Sequence, residues 1–223
     1  VVVQWPVPSH IDFDTLTASI GARQDVDAMT PVNNGALVLG QTPYHVSCAT
    51  LAVHESLMYA LQQLYPDVTP VNLLPRVRCV LIGQSVMVGR PLLSWALNHR
   101  VGSISTIHRD TPRAVSQQLV NSHVTDPHVI PVVISATGQP HLLVPESDTH
   151  AAPDKLRISP GQILIDVGFH VDQQTNVVLG DFSPRCYSTA LAYTPVPGGI
   201  GPLTVAILLR NVVAAARLKE ECT

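Results

Sequence analysis

At 223 residues, with 46% hydrophobic and 13% charged side chains, the chain carries enough apolar material for one large or two small packed domains and is not a disordered segment. A formal net charge of −3 excludes the electrostatic footprint of a nucleic-acid binder or a ligand of acidic membranes. No run of about 18 apolar residues reads as a membrane span, and neither the four cysteines nor the ten histidines show metal-ligand spacing, so no metal site is expected.

The chain opens on Val1, inside a β-branched run, which reads as a piece of a longer gene product whose upstream region holds any targeting peptide. Residues 1–4 read as the end of a strand, cut by Trp5-Pro6. A short helix is expected over 12–20 and a structured loop over the polar, glycine-bearing stretch 24–42. Leu51, His54, Leu57, Met58, Leu61 and Leu64 recur at helical spacing, so 48–64 reads as a helix. The proline-bounded segment 66–75 is a candidate domain boundary. Beyond Pro75, strands and helices alternate: strand 78–82, helix 88–98, strand 103–108, helix 112–121, then strands 129–137 and 162–166. That alternation predicts an α/β fold with a parallel sheet covered by helices. Residues 169–171 and 177–180 can form a small hairpin arm, and the last helix spans 202–218. Cys48, Cys79, Cys186 and Cys222 form no C-x-x-C pair and read as reduced thiols.

The first strand of the alternating region runs into Gly83-Gln84-Ser85-Val86-Met87-Val88-Gly89. A dinucleotide-binding fold places its glycine turn between strand and helix in this way, although the outer glycines here are six apart and Ser85 replaces the middle one. Met87 stands where a nucleophile elbow needs glycine, so Ser85 reads as a turn or cap residue. The second strand ends at His108-Arg109, where an NAD-binding fold usually places a carboxylate. A basic Arg109 suits a 2′-phosphate and NADP; the alternative is a solvated surface arginine. Thr137-Gly138 follows a strand and reads as a second cofactor contact. Asp166, closing another strand, reads as a structural carboxylate that accepts nearby N–H groups. Thr194–Thr204, T-P-V-P-G-G-I-G-P-L-T, is a rigid, side-chain-poor loop with Pro202 in the first turn of the helix that follows.

These blocks resemble the methylenetetrahydrofolate dehydrogenase/cyclohydrolase family over essentially the whole chain. Val3-Gln4-Trp5-Pro6-Val7-Pro8 is similar to its V-Q-L-P-L-P, Asp25-Val26-Asp27 to K-D-V-D-G, and residues 31–37 to P-x-N-x-G-R-L. Gly83-Gln84-Ser85 with Val88-Gly89-Arg90-Pro91 is similar to G-R-S-x-x-V-G-x-P, Gly180-Asp181 to V-G-D-V, and Thr194–Thr204 to T-P-V-P-G-G-V-G-P-M-T. The resemblance implies a Rossmann-like parallel sheet domain at 71–195 and the remnant of an N-terminal α/β catalytic domain at 1–70. A signature loop and helix at 196–223 would return to that remnant. It implies oxidation of methylenetetrahydrofolate with NADP, hydrolysis of the methenyl product, and a role in one-carbon metabolism and purine biosynthesis. It also implies a homodimer in the cytoplasm or mitochondrial matrix. Gln4 takes the place of the catalytic glutamine. Val3, Trp5, Asp27, Pro197, Gly198, Gly199, Gly201 and Thr204 fall at substrate-binding positions, with Asp27 the pterin anchor. Gly83, Gln84, Ser85, Arg109, Thr137 and Gly138 are the expected cofactor residues.

Departures accompany the match. The family's phosphate-binding arginine of G-R-S is Gln84 and its H-S-x-T serine is Arg109, so one cation has moved from one turn to the next. The family's catalytic tyrosine and lysine lie upstream of V-Q-L-P-L-P, and no lysine precedes Lys155 here. A catalytically silent relative that binds folate or nucleotide is therefore the alternative, and weak cyclohydrolase activity is expected of the chain as it stands. A dehydrogenase of amino-acid or shikimate type fits the signature block poorly.

Overall fold

Short polar segments at the start of the chain fold as helices because their caps are strong. The computed structural model describes residues 1–4, 7–122 and 124–220, the side chains of 219 and 220 excepted. Helix α1 (Phe13–Ala18) begins where the Asp12 carboxylate accepts the Asp14 N–H. Helix α2 (Pro31–Val38) lies where a loop was expected. Thr30 Oγ1 accepts the Asn33 N–H, and Pro31 supplies a preset φ at the first helical position. Helix α3 (Cys48–Leu64) has the predicted bounds. A 3₁₀ turn (Pro70–Arg76) then leads into the sheet.

The alternating region follows as β1 (Val77–Ile82), α4 (Gly89–Asn98), β2 (Ser103–Ile107), α5 (Arg113–Val120) and β3 (Ile130–Ser135). Strands β4 (Leu143–Pro145) and β5 (Leu156–Ile158) pair apart from the main sheet, and were not foreseen. Strand β6 (Ile163–Asp166) comes next, then the hairpin of β7 (His170–Val171) and β8 (Val178–Leu179), antiparallel as expected. A second 3₁₀ turn (Pro184–Thr189), β9 (Ala192–Tyr193) and α6 (Ile200–Glu220) complete the described chain. The main sheet has the order β2-β1-β3-β6-β9, with every pair parallel.

Both faces of this sheet are covered, so its strands read as near-continuous apolar runs. Leu81, Val132, Ile134, Ile163 and Ile165 pack under α3, α4 and α6 together with Val53, Leu57, Leu92, Trp95 and Ile207. Val80, Ile82, Val133 and Leu164 face the opposite side, where Val120, Leu143, Ile158, Phe182 and Cys186 meet them.

Two further expectations are corrected. Residues 1–4 form no strand, and residues 1–76 contain none among the described residues, so the N-terminal part is helical. A β-branched run without a neighbouring strand has nothing to complete its ladder; the Val1 ammonium donates instead to the Gln24 carbonyl. The apolar stretch of α6, Ile200–Leu218, is long and apolar enough by length and composition to cross a membrane, with a mean hydropathy of 1.4. Arg210 and Arg217 had masked that run in the sequence. Cys48, Cys79 and Cys186 are buried free thiols; Trp5, Pro6, His123 and Cys222 lie outside the described residues.

Candidate functional site

A cleft of about 1000 Å³ opens at the C-terminal ends of β1, β2 and β3. Open parallel sheets bind ligands at this edge, where the chain leaves the central strand in one direction and its neighbours in the other. Its walls include Gly83, Gln84, Ser85, Arg109 and Thr137, five of the six predicted cofactor residues. The sixth, Gly138, sits between the lining residues Thr137 and Gln139 with φ +66°.

Gly83 follows β1 with φ +106°, in the left-handed half of conformational space. A Cβ there would lie 2.5 Å from the Ala136 carbonyl oxygen. One at Gly89 would lie 2.2 Å from the Gly83 carbonyl oxygen. Both glycines are thus required by close backbone approach, the first making the turn and the second letting α4 pack on it. Ser85 Oγ accepts the N–H groups of Val88 (3.2 Å) and Gly89 (3.5 Å), so the serine caps α4 as expected. Gln84 is exposed and donates to Thr106 Oγ1 on the neighbouring strand at 2.9 Å.

Basic side chains gather at the β2 side of the cleft. Arg109 is exposed and has no partner among the described residues, His108 pairs with Asp110 at 3.0 Å, and Arg90 and Arg113 also line the walls. Arg113 is anchored by the Pro153 carbonyl and Gln117 Oε1, and burial together with nearby Arg157 holds its pKa below the ordinary value. Sequence reasoning missed Arg113, because its approach depends on how α5 packs against β5. The shape and charge of the cleft fit a phosphorylated dinucleotide: a glycine turn that admits close backbone approach, with Arg109 beside it.

Beside the cleft, two buried carboxylates join the strand ends. Asp166 accepts the N–H groups of Gly168 (2.9 Å), Asp181 (3.1 Å) and Phe182 (2.9 Å), the structural role expected. Burial, with Asp181 close by, pushes its carboxyl up to about 6. Its own N–H donates to Thr194 Oγ1, the first residue of the signature block. That block then turns through a cis Val196–Pro197 bond and Gly198 (φ +107°) into α6. A Cβ on Gly199 would meet the Pro195 carbonyl oxygen at 2.5 Å.

The expected substrate residues are less tightly gathered. Asp27 is half-buried, and its Oδ1 accepts the Cys48 N–H at 3.0 Å, serving the start of α3. Asn211 on α6 donates to the Val26 carbonyl at 2.8 Å, which ties α6 to the Asp27 turn. Asn211 lies about 16 Å along α6 from Ile200 by helical rise. Gln4, Pro197, Gly198 and Gly201 are exposed, Val3, Gly199 and Thr204 half-buried, and no hydrogen bond joins Gln4 or Asp27 to residues 197–201 among the described residues. Asp25, whose role went unread, is the buried hub of this region: it accepts from Met29, Thr30 and the Asn33 amide.

The family described as tetrahydrofolate dehydrogenase/cyclohydrolase, NAD(P)-binding domain, matches residues 73–220. Bifunctional protein FolD of Acetivibrio thermocellus is 32% identical over 222 residues, spanning 99% of this chain and 67% of that protein. The mitochondrial C-1-tetrahydrofolate synthase of Schizosaccharomyces pombe is 31% identical across 98% of this chain and 20% of its own length. Among solved structures, the Trypanosoma brucei methylenetetrahydrofolate dehydrogenase-cyclohydrolase complexed with NADP and an inhibitor superposes with a TM-score of 0.76. It is 29% identical, over 98% of this chain and 66% of that one. The Campylobacter jejuni enzyme FolD gives a TM-score of 0.74 at 30% identity, over 97% and 66%. The chain thus spans about two thirds of the length of the Acetivibrio, Trypanosoma and Campylobacter proteins.

Proposed function

From the premise that this chain belongs to the tetrahydrofolate dehydrogenase/cyclohydrolase family, we propose that it serves an NADP-dependent methylenetetrahydrofolate dehydrogenase and methenyltetrahydrofolate cyclohydrolase. The observation that carries this reading is the cleft at the ends of β1–β3, with Gly83 held at φ +106° and, on its wall, Arg109 without a partner among the described residues. Gly83 and Ser85 in the turn take the pyrophosphate, Arg109 the 2′-phosphate, and Thr137 and Gly138 the nicotinamide side. When bound, NADP would supply the hydride acceptor for the folate methylene carbon. The protein's share of that step is chiefly to hold the two reactants face to face and exclude water. Residues 1–70 belong with the folate-binding domain, 71–195 with the cofactor domain, and 196–223 return to the first. Gln4 and Asp27 act on the folate side, Asp27 through its Oδ2 while Oδ1 serves α3. The hydrolytic step also needs a proton-transfer group, which typically contributes about 10²–10⁴-fold. Placement is cytoplasmic or in the mitochondrial matrix, the protein acting as a homodimer in the folate reactions that feed purine biosynthesis.

The test compares NADP and NAD binding by the chain and its Arg109→Ser variant. A charge-assisted phosphate contact is worth roughly 1.5–3 kcal/mol, so NADP should weaken about 10- to 150-fold while NAD holds. Equal loss for both cofactors sinks the assignment of Arg109.

A further inference from the structure

We propose that Asp181 is a positioning residue for the nicotinamide half of the cofactor, acting through Thr137. The proposal rests on the cofactor reading of the β1–β3 cleft given above.

Asp181 is 1% exposed, yet one of its oxygens does nearly all its work. Oδ2 accepts from Ser135 Oγ (2.6 Å), the Thr137 N–H (2.7 Å) and Thr137 Oγ1 (2.8 Å). The Thr137 hydroxyl, its proton committed to Asp181, accepts the Gln139 N–H at 3.2 Å. A carboxylate 44 residues away therefore sets the turn 137–139 at both its backbone and its side chain. The Gly138 N–H, which has no partner among the described residues, remains as the free donor of that turn.

The other oxygen, Oδ1, is buried with no hydrogen-bond partner among the described residues. Leaving a buried acceptor unsatisfied is costly, and a neutral side chain filling the same space would avoid it. A carboxylate is therefore poorly explained as packing, whereas two charge-assisted bonds to Thr137 and one to Ser135 at the end of β3 account for it. Its seat is also shaped for it: a Cβ on Gly168 would fall 2.1 Å from Oδ1. The Asp181 N–H in turn donates to Asp166 Oδ1, so the acceptor is fixed from behind.

Strand order decides which half of the cofactor this turn serves. Strand β2, bearing Arg109, lies on one side of β1, and β3, followed by Thr137, lies on the other. A dinucleotide laid across the Gly83 turn puts its adenosine 2′-phosphate toward β2 and its nicotinamide toward β3. Asp181 therefore acts on the nicotinamide half alone.

The experiment measures binding of NADPH, by its fluorescence, and of adenosine 2′,5′-bisphosphate, which fills only the adenosine half. Asp181→Asn should weaken NADPH about tenfold and leave the bisphosphate within about twofold. Loss of both to the same degree would mark Asp181 as merely structural and overturn the proposal, as would no loss of either. Should Asp181→Asn not fold, Thr137→Val breaks the same relay from its other end and must show the same selectivity; equal effects on both ligands there overturn it as well. Failure of the unaltered chain to bind either ligand removes the cofactor reading and this proposal with it, an outcome distinct from normal binding with an unselective variant.

Discussion

Replacing Gly83 by alanine puts the cleft architecture to its most direct test. The native φ of +106° is one that a residue with a side chain rarely adopts, at a cost of about 1–3 kcal/mol. The added methyl also meets backbone at 2.5 Å from the Ala136 oxygen and 3.0 Å from its carbonyl carbon, and neither atom is the end of a flexible side chain. Ala136 is fixed in turn by its N–H bond to Ile82 at 2.8 Å, and Gly83 by its bond to the Ile107 carbonyl at 3.0 Å. Relief requires the ends of β1 and β3 to part, an overpacking cost of about 1–3 kcal/mol. The sum, roughly 2–6 kcal/mol, should lower the melting temperature by roughly 4–24 °C for a domain of this size. Thermal unfolding followed by circular dichroism, with NADPH titration of the folded protein, reads both consequences. Gly35→Ala is the control: Gly35 lies inside α2 with nothing within 4 Å of its added methyl, so it should gain up to about 1 kcal/mol. A Gly83→Ala protein that melts with the wild type and binds NADPH equally would refute the close approach of β1 and β3 at this turn.

Two other outcomes follow from buried carboxylates. Asp25 is 2% exposed and serves three donors, so Asp25→Ala should cost roughly 3–4 kcal/mol in urea unfolding; a loss below about 1 kcal/mol would mean that water or a rearranged loop satisfies them. Asp166 has its carboxyl raised from 3.8 to about 6 in the folded chain, so the folded state holds more protons than the unfolded state between those values. Its contribution is therefore complete below about 3.8 and lost as pH rises through about 6, by roughly 3 kcal/mol. Unfolding of the wild type and Asp166→Asn compared across this window should show the wild type losing ground as pH rises, and a flat difference would place the Asp166 titration elsewhere.

The elements with strong local signals could be read from the sequence because their causes are local. Apolar spacing alone marks α3 at Cys48–Leu64, and the glycine turn at 83–89 announces itself between an aliphatic strand and a helix. The same holds for Ser85 as a cap, where donor and acceptor lie within four residues. Helix α2 was legible in principle from Thr30-Pro31, but the asparagines and glycine that follow obscured it. Residues 1–4 show the opposite failure: β-branched side chains favour a strand, yet a strand exists only with a partner, and partners are long-range facts. The two-residue strand β9 was invisible for the same reason, since its pairing with β6 rather than its composition makes it a strand. Cation placement divides along this line. Arg109 follows directly from the end of β2, whereas Arg113 reaches the cleft only through the packing of α5. Most plainly, no spacing rule connects Asp181 with Ser135 and Thr137, 46 and 44 residues apart. Local chemistry determines turns, caps and periodicity, because those bonds close within a few residues. The buried bonds that aim the cleft close across strands, and only the folded chain brings their ends together.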